Sequence, residues 1–177
     1  MSMALVELLP CACRAPGLAR WPNAGKLGAM NYWLMKSEPT ECSVDDALAA
    51  PAATVPWTGV RNYQARNFMR DAMRVGDGVL FYHSNCAEPG IVGIARVASA
   101  NRPDPTQFDP ESPYFDPAST PAAPRWLLVD VQVLRKIPTL TLAELRTRPE
   151  LADLLVLKKG NRLSITPVAP HHWQAIT

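Results

Sequence analysis

Residues 126–136 read Trp126-Leu127-Leu128-Val129-Asp130-Val131-Gln132-Val133-Leu134-Arg135-Lys136. Leu127, Val129, Val131 and Val133 are uniformly apolar at every second position, while Asp130 and Gln132 interrupt the other set. A period of two is the signature of a strand with one face on a core, so this stretch predicts the longest strand, with the valines inward. Working outward, Tyr32–Lys36, Val79–His83, Ile91–Val97 and Arg162–Val168 read as further strands. Asn62–Met73 predicts one helix, with Tyr63, Ala65, Phe68, Met69 and Ala72 near one face and Arg66, Arg70 and Arg74 on another.

Caps mark the shorter helices. Ser43 precedes Asp45 and Asp46, placing acids in a first turn where the helix dipole favours them, and Pro51 ends that helix. Thr141 and Glu144 have capping-box spacing for a helix over Thr141–Arg146. Glu150–Leu155 and Pro170–Ile176 predict two more short helices. Pro103–Pro124 holds seven of the 18 prolines. Each proline fixes φ and removes a donor, so regular structure is excluded there. Phe108, Tyr114 and Phe115 within it predict a strap lying against the core. Adjacent strands with helices grouped between them indicate an α+β fold around a small mixed sheet or barrel, rather than a doubly wound parallel fold.

Residues 1–30 differ from the rest. They hold Pro10, Pro16 and Pro22 with Gly17, Gly25 and Gly28, and no sustained periodicity. The expectation is an unstructured leader or an over-extended start, with Met30 as the start and residues 31–177 as the domain. Of 18 basic and 16 acidic side chains, residues 1–30 carry three and one, which leaves 15 of each in the remainder. A neutral body excludes affinity for nucleic acid through bulk charge alone. No apolar run reaches the roughly 18 residues of a membrane span. Four cysteines fit a reducing compartment, and a cytoplasmic location is expected (nucleoid-associated if bacterial, nuclear if eukaryotic). Cys11-x-Cys13 and His83-x-x-Cys86 are half-sites without the second pair that zinc needs. Neither a metal nor a cofactor is expected.

There is no dinucleotide fingerprint, P-loop, zinc-protease motif or nucleophile elbow. Three clusters share one chemical character: Tyr32–Pro39, Trp57–Gln64 and Phe81–Asn85. Each combines a large π-face with short hydrogen-bonding groups, as planar ligands such as nucleobases require. On composition and spacing alone, core packing is the simpler reading of each.

A resemblance shifts that balance. WTGVRNYQARNFM (Trp57–Met69), FYHSNCAEPG (Phe81–Gly90), PDPTQFDPESPYFD (Pro103–Asp116), WLLVDV (Trp126–Val131) and RLSITP (Arg162–Pro167), with Tyr32–Pro39, resemble an EVE domain of the PUA-like superfamily from Asn31 to Thr177. The resemblance implies a PUA-like pseudobarrel: a bent mixed sheet with helices packed around it. It also implies a non-enzymatic reader whose pocket holds a modified base, chiefly 5-methylcytosine or its oxidised forms in DNA, with modified RNA as the alternative polymer. Carried over by position, Trp33 and Trp57 are the expected walls, with Tyr82 a further candidate. Ser37, Asn62, His83, Ser84 and Asn85 are the expected polar contacts, and Lys36, Arg61 and Arg162 the cations at phosphate or the rim. Similar folds include small amidohydrolases, so Lys36 with Glu38 as nucleophile and proton shuttle stands as the enzymatic alternative.

Overall fold

The alternation at Val129, Val131 and Val133 becomes an inward face: all three side chains are buried. The computed structural model of the protein describes residues 30–177. The leader reading of residues 1–30 and the Cys11-x-Cys13 spacing therefore lie outside the described residues. In chain order the strands are β1 (Tyr32–Ser37), β2 (Thr54–Pro56), β3 (Gly78–His83), β4 (Gly90–Val97), β5 (Arg102–Pro103), β6 (Leu127–Leu128), β7 (Asp130–Thr141) and β8 (Ile165–Val168). Six form one sheet in the order β2-β7-β4-β3-β1-β8, and β5 pairs with β6. Within the larger sheet β1 and β3 run parallel, and every other pair is antiparallel.

Register shifts between Ile91 and Gly93, and between Ile94 and Ala95, bend β4 against β7. An extra residue on one strand kinks it and increases twist, and this curls the sheet toward a barrel. At Gly90 a side chain would meet the Leu140 carbonyl oxygen at 2.5 Å, so only glycine lets the two backbones close there.

Helices cover both faces. On one, α1 (Val44–Ala49) and α2 (Tyr63–Asn67) place Val44, Ala47 and Ala65 against Trp33, Met35, Phe81 and Val131. On the other, α3 (Leu142–Thr147) and α4 (Pro170–Ile176) place Leu145 and Trp173 against Leu34, Leu80 and Tyr82. The capping boxes of Ser43 with Asp46 and of Thr141 with Glu144 both form.

The structure departs from the sequence expectations in several places. Within the strap, where no regular structure is expected, Pro105–Phe108 forms a 3-10 turn and Pro103 pairs with Leu127, and the strand expected over Arg162–Val168 starts only at Ile165. The helix expected over Asn62–Met73 stops being α at Asn67, and Phe68–Ala72 continues in π geometry, with the Met73 N–H on the Phe68 carbonyl at 2.8 Å. Tyr63, expected on the apolar face, is exposed and lies against Trp126. The Trp126–Lys136 strand is broken at Val129 and runs on to Thr141, and Trp126 and Leu128, on the expected outer face, are buried. Instead of one helix over Glu150–Leu155 there are two 3-10 turns, Pro149–Leu151 and Leu155–Leu157.

The proline strap is anchored by polar groups more than by its aromatics. Gln107 is fully buried, donating to the Trp126 carbonyl (2.9 Å) and accepting from the Trp126 and Arg125 N–H groups (2.9 and 3.0 Å). Phe115, by contrast, is exposed. A buried amide with every group paired fixes one backbone arrangement where prolines have removed ladder donors.

A candidate nucleic-acid site at the ends of the parallel strands

β1 and β3 run in the same direction, so their carboxyl ends emerge side by side. A cleft of about 230 Å³ opens there. Lys36 and Glu38 enter it from the end of β1, and Ser84 from the end of β3. The loop after β2 contributes Trp57, Thr58, Gly59 and Val60, while Arg162 and Ser164 approach from just before β8. Glu41 of the turn after β1 and Tyr114 of the strap complete the wall. Main-chain bonds hold these segments together. The Lys36 N–H donates to the Ser164 carbonyl (2.8 Å), the Ser84 N–H to the Ser37 carbonyl (2.9 Å) and the Trp57 N–H to the Val129 carbonyl (2.9 Å).

Trp57 is 6% exposed and meets Phe81 edge to face, with ring centroids 5.2 Å apart. Its indole N–H has no hydrogen bond among the described residues. Lys36 makes no ion pair among the described residues, and burial holds its ammonium below the usual lysine pKa. A half-desolvated cation with no partner gains more from an incoming anion than a solvated one. Arg162 is exposed and likewise unpaired among the described residues. The two carboxylates are engaged: Glu38 accepts from the Asn85 amide (3.0 Å), and Glu41 accepts from the Tyr114 hydroxyl. That bond, with burial, pushes the Tyr114 pKa up to about 12.

Of the residues expected at the site, the structure brings Lys36, Trp57, Ser84 and Arg162 together around the cleft. The others lie outside its lining, each for a visible reason. Trp33 is a core residue, 3% exposed, with its indole N–H on the Asp77 carboxylate at 3.0 Å and its ring against Phe68. Asp77 also accepts from the N–H groups of Asn31 and Arg74. Ser37 donates to the Cys42 carbonyl (2.7 Å), tying down the turn after β1. Asn62 caps α2 through the Gln64 and Ala65 N–H groups. Tyr82 packs with Leu34, Leu80 and Leu145 on the other core face. His83 accepts the Val44 N–H at Nε2 (3.0 Å), and burial first of all keeps its pKa below the ordinary value. Asn85, with φ +51°, reaches the cleft only through its bond to Glu38.

Arg61 is engaged within the protein. Its fork bonds the Asp104 carboxylate (2.8 Å), the Thr106 hydroxyl (2.9 Å) and the Tyr114 carbonyl (2.7 Å from Nε). Asp104 in turn accepts the Gly59 N–H (3.0 Å). Burial alone would raise the Asp104 carboxyl, but Arg61, Thr106 and Gly59 overcome it and hold the pKa below the usual range. Arg61 thus clamps the strap to the cleft wall. Glu41, Thr58 and Tyr114 were not singled out as contacts in the sequence, because each sits in a loop without periodicity, and Ser164 was read as part of a strand that in fact starts at Ile165.

The EVE domain family model matches residues 31–177. The chain belongs to the EVE domain family. Mouse thymocyte nuclear protein 1 is 47% identical over 171 residues, covering 87% of this chain and 75% of the relative. A crystal structure of a Pseudomonas putida protein superposes with a TM-score of 0.78 at 49% identity, covering 82% of this chain and 96% of that one. Human THYN1 protein in complex with 5-methylcytosine containing DNA superposes with a TM-score of 0.77 at 41% identity, covering 82% and 95%. A yeast YTH domain shares the fold at 14% identity (TM-score 0.50). The architecture of this EVE domain is therefore the PUA-like one, a bent six-stranded sheet with short helices on both faces. Among its described residues no helix is long and apolar enough to cross a membrane.

Proposed function

We propose that this cleft is a reading pocket for a single modified base, 5-methylcytosine or an oxidised form of it, turned out of DNA. The observation that carries the reading is Trp57, a mostly buried aromatic that lines one cleft with Lys36 and Arg162, two cations that make no ion pair among the described residues. The human relative in complex with 5-methylcytosine containing DNA supports the choice of ligand. Size agrees: an engineered cavity of roughly 150 Å³ holds benzene, and this one is about 230 Å³.

Turning a base out of a duplex costs a few kcal/mol. Stacking on one aromatic returns roughly 1–3 kcal/mol. The methyl group itself adds about 0.8 kcal/mol when fully buried, which is only about fourfold in affinity. Selectivity therefore has to come from edge reading, for which Thr58, Ser84, Ser164 and the Trp57 indole N–H are the available groups. Lys36 and Arg162 take the flanking phosphates. With a neutral domain behind them, they make binding weak in absolute terms and shallow in its salt dependence.

Binding of single- and double-stranded DNA and RNA oligonucleotides, each with one modified or unmodified base, tests the proposal by fluorescence anisotropy. It expects preference for 5-methylcytosine-class DNA. Equal binding of unmodified and modified strands would defeat it.

The enzymatic alternative keeps one specific support, since Lys36 and Glu38 line the same cleft. The non-enzymatic reading is favoured because Glu38 is held in the Asn85 amide bond and makes no ion pair with Lys36. Turnover of N4-acyl or methylated nucleosides would reverse that preference.

A further inference from the structure

Away from the cleft, three side chains with metal-binding atoms converge at the end of the chain. His171 and His172 occupy the first turn of α4, and Asp153 sits in the turn between Pro149–Leu151 and Leu155–Leu157. The Nε2 atom of His172 lies 2.7 Å from an Asp153 carboxylate oxygen, and Nε2 of His171 lies 3.9 Å from the same oxygen. One ligand atom from each of the three falls within 4.8 Å of the others. Successive helical residues do not ordinarily face one another, yet these two rings have centroids only 4.0 Å apart. Both imidazoles have turned toward one carboxylate.

We propose that Asp153, His171 and His172 form a binding site for one divalent transition-metal ion of the zinc class. Ligands at about 2.0–2.1 Å in tetrahedral array lie roughly 3.3 Å from one another. The observed separations straddle that value, so shifts of about an ångström in exposed side chains would close the set. The mobility is where it is needed. The side chains of Asp153 and His171 are 71% and 62% exposed, whereas that of His172 is 5% exposed and serves as a fixed anchor. Its helix is itself held by Trp173, stacked on Tyr32 with centroids 4.6 Å apart. Two imidazoles with one carboxylate suit zinc, nickel or copper, while calcium and magnesium take oxygen ligands. Three protein ligands leave a position for water. Occupancy would pin α4 to the preceding turn, joining two segments that follow and precede β8.

The test is calorimetric titration of the full chain with Zn²⁺, together with Co²⁺ absorption spectra. Expected are one ion per chain and cobalt d–d bands without a thiolate-to-metal charge-transfer band, which separates this site from Cys11, Cys13, Cys42 and Cys86. His171→Ala and Asp153→Asn change exposed side chains, and a metal-free thermal melt confirms that each variant folds. Each should weaken Zn²⁺ by more than the roughly tenfold that loss of an outer-shell partner costs. No binding by the wild type, a thiolate band, or full affinity retained in either folded variant would overturn the proposal.

Discussion

Gly59 lies directly beneath the ring of Tyr114: a Cβ at Gly59 would stand 2.7 Å from Tyr114 Cζ. The ring has little room to yield, because its hydroxyl is bonded to Glu41 and its carbonyl is gripped by Arg61. Gly59 also has φ +78°, a conformation that costs an L-residue roughly 1–2 kcal/mol. Gly59→Ala should therefore destabilise the domain by at least about that amount in urea denaturation. It should also weaken base binding further than the stability loss explains, since Tyr114 forms part of the cleft wall.

Arg61 and Asp104 make the strap's charged clamp. Asp104 is fully buried and the Arg61 side chain 20% exposed. Removing one partner of a buried pair costs roughly 3–5 kcal/mol, and the exposed edge of Arg61 places Arg61→Ala near the lower figure. Arg61→Lys should not restore stability, because an ammonium cannot span Asp104, Thr106 and the Tyr114 carbonyl at once. Equilibrium unfolding of both variants checks this.

His83 gives the domain a pH signature. Burial, aided by Lys136 and opposed by Asp45, depresses its pKa in the folded state. The unfolded chain then binds more protons, so the contribution is present above about pH 6.5 and lost as pH falls through the lower folded value. Stability should decline below about pH 6.5, and His83→Gln should flatten that part of the profile while its side-chain oxygen still accepts the Val44 N–H.

Salt dependence separates cations that meet phosphate from those that do not. Arg66 bonds Asn67 and the Arg125 carbonyl, Arg70 pairs with Asp71, and Arg74 bonds the Met73 and Asp71 carbonyls. Lys36 and Arg162 have no such partners among the described residues. Lys36→Ala and Arg162→Ala should each lower the log–log salt slope by about 0.9 on duplex DNA. Arg70→Ala should leave the slope unchanged.

Much of the fold could be read from local pattern. Val131 and Val133 announce the inward face of β7, and Ser43 with Asp46 and Thr141 with Glu144 announce two helix starts, because each signal lies within a few residues. Only part of the site was legible. Trp57 and Trp33 look alike in sequence as aromatics beside polar residues. What separates them is Asp77, which takes the Trp33 indole N–H from 44 positions away. Arg61 reads as a phosphate cation until Asp104 and Tyr114 fold back onto it. His83 and Asn62 read as contacts until the helix starts they cap are placed. His171 and His172 show no metal spacing, since their third partner belongs to another segment.

That distinction between the two tryptophans leads to the central test. Trp33→Ala removes a core ring and should cost roughly 3–5 kcal/mol of stability. Trp57 is buried in the same core, so Trp57→Ala should carry a stability cost of similar size, roughly 3–5 kcal/mol, and a loss of binding beyond it. The decisive measurement is the affinity of Trp57→Ala, confirmed folded by circular dichroism, for a DNA oligonucleotide carrying one 5-methylcytosine. Loss of one base–aromatic stack predicts a weakening of about 5- to 150-fold, equivalent to roughly 1–3 kcal/mol. Wild-type affinity in the folded variant would contradict the account.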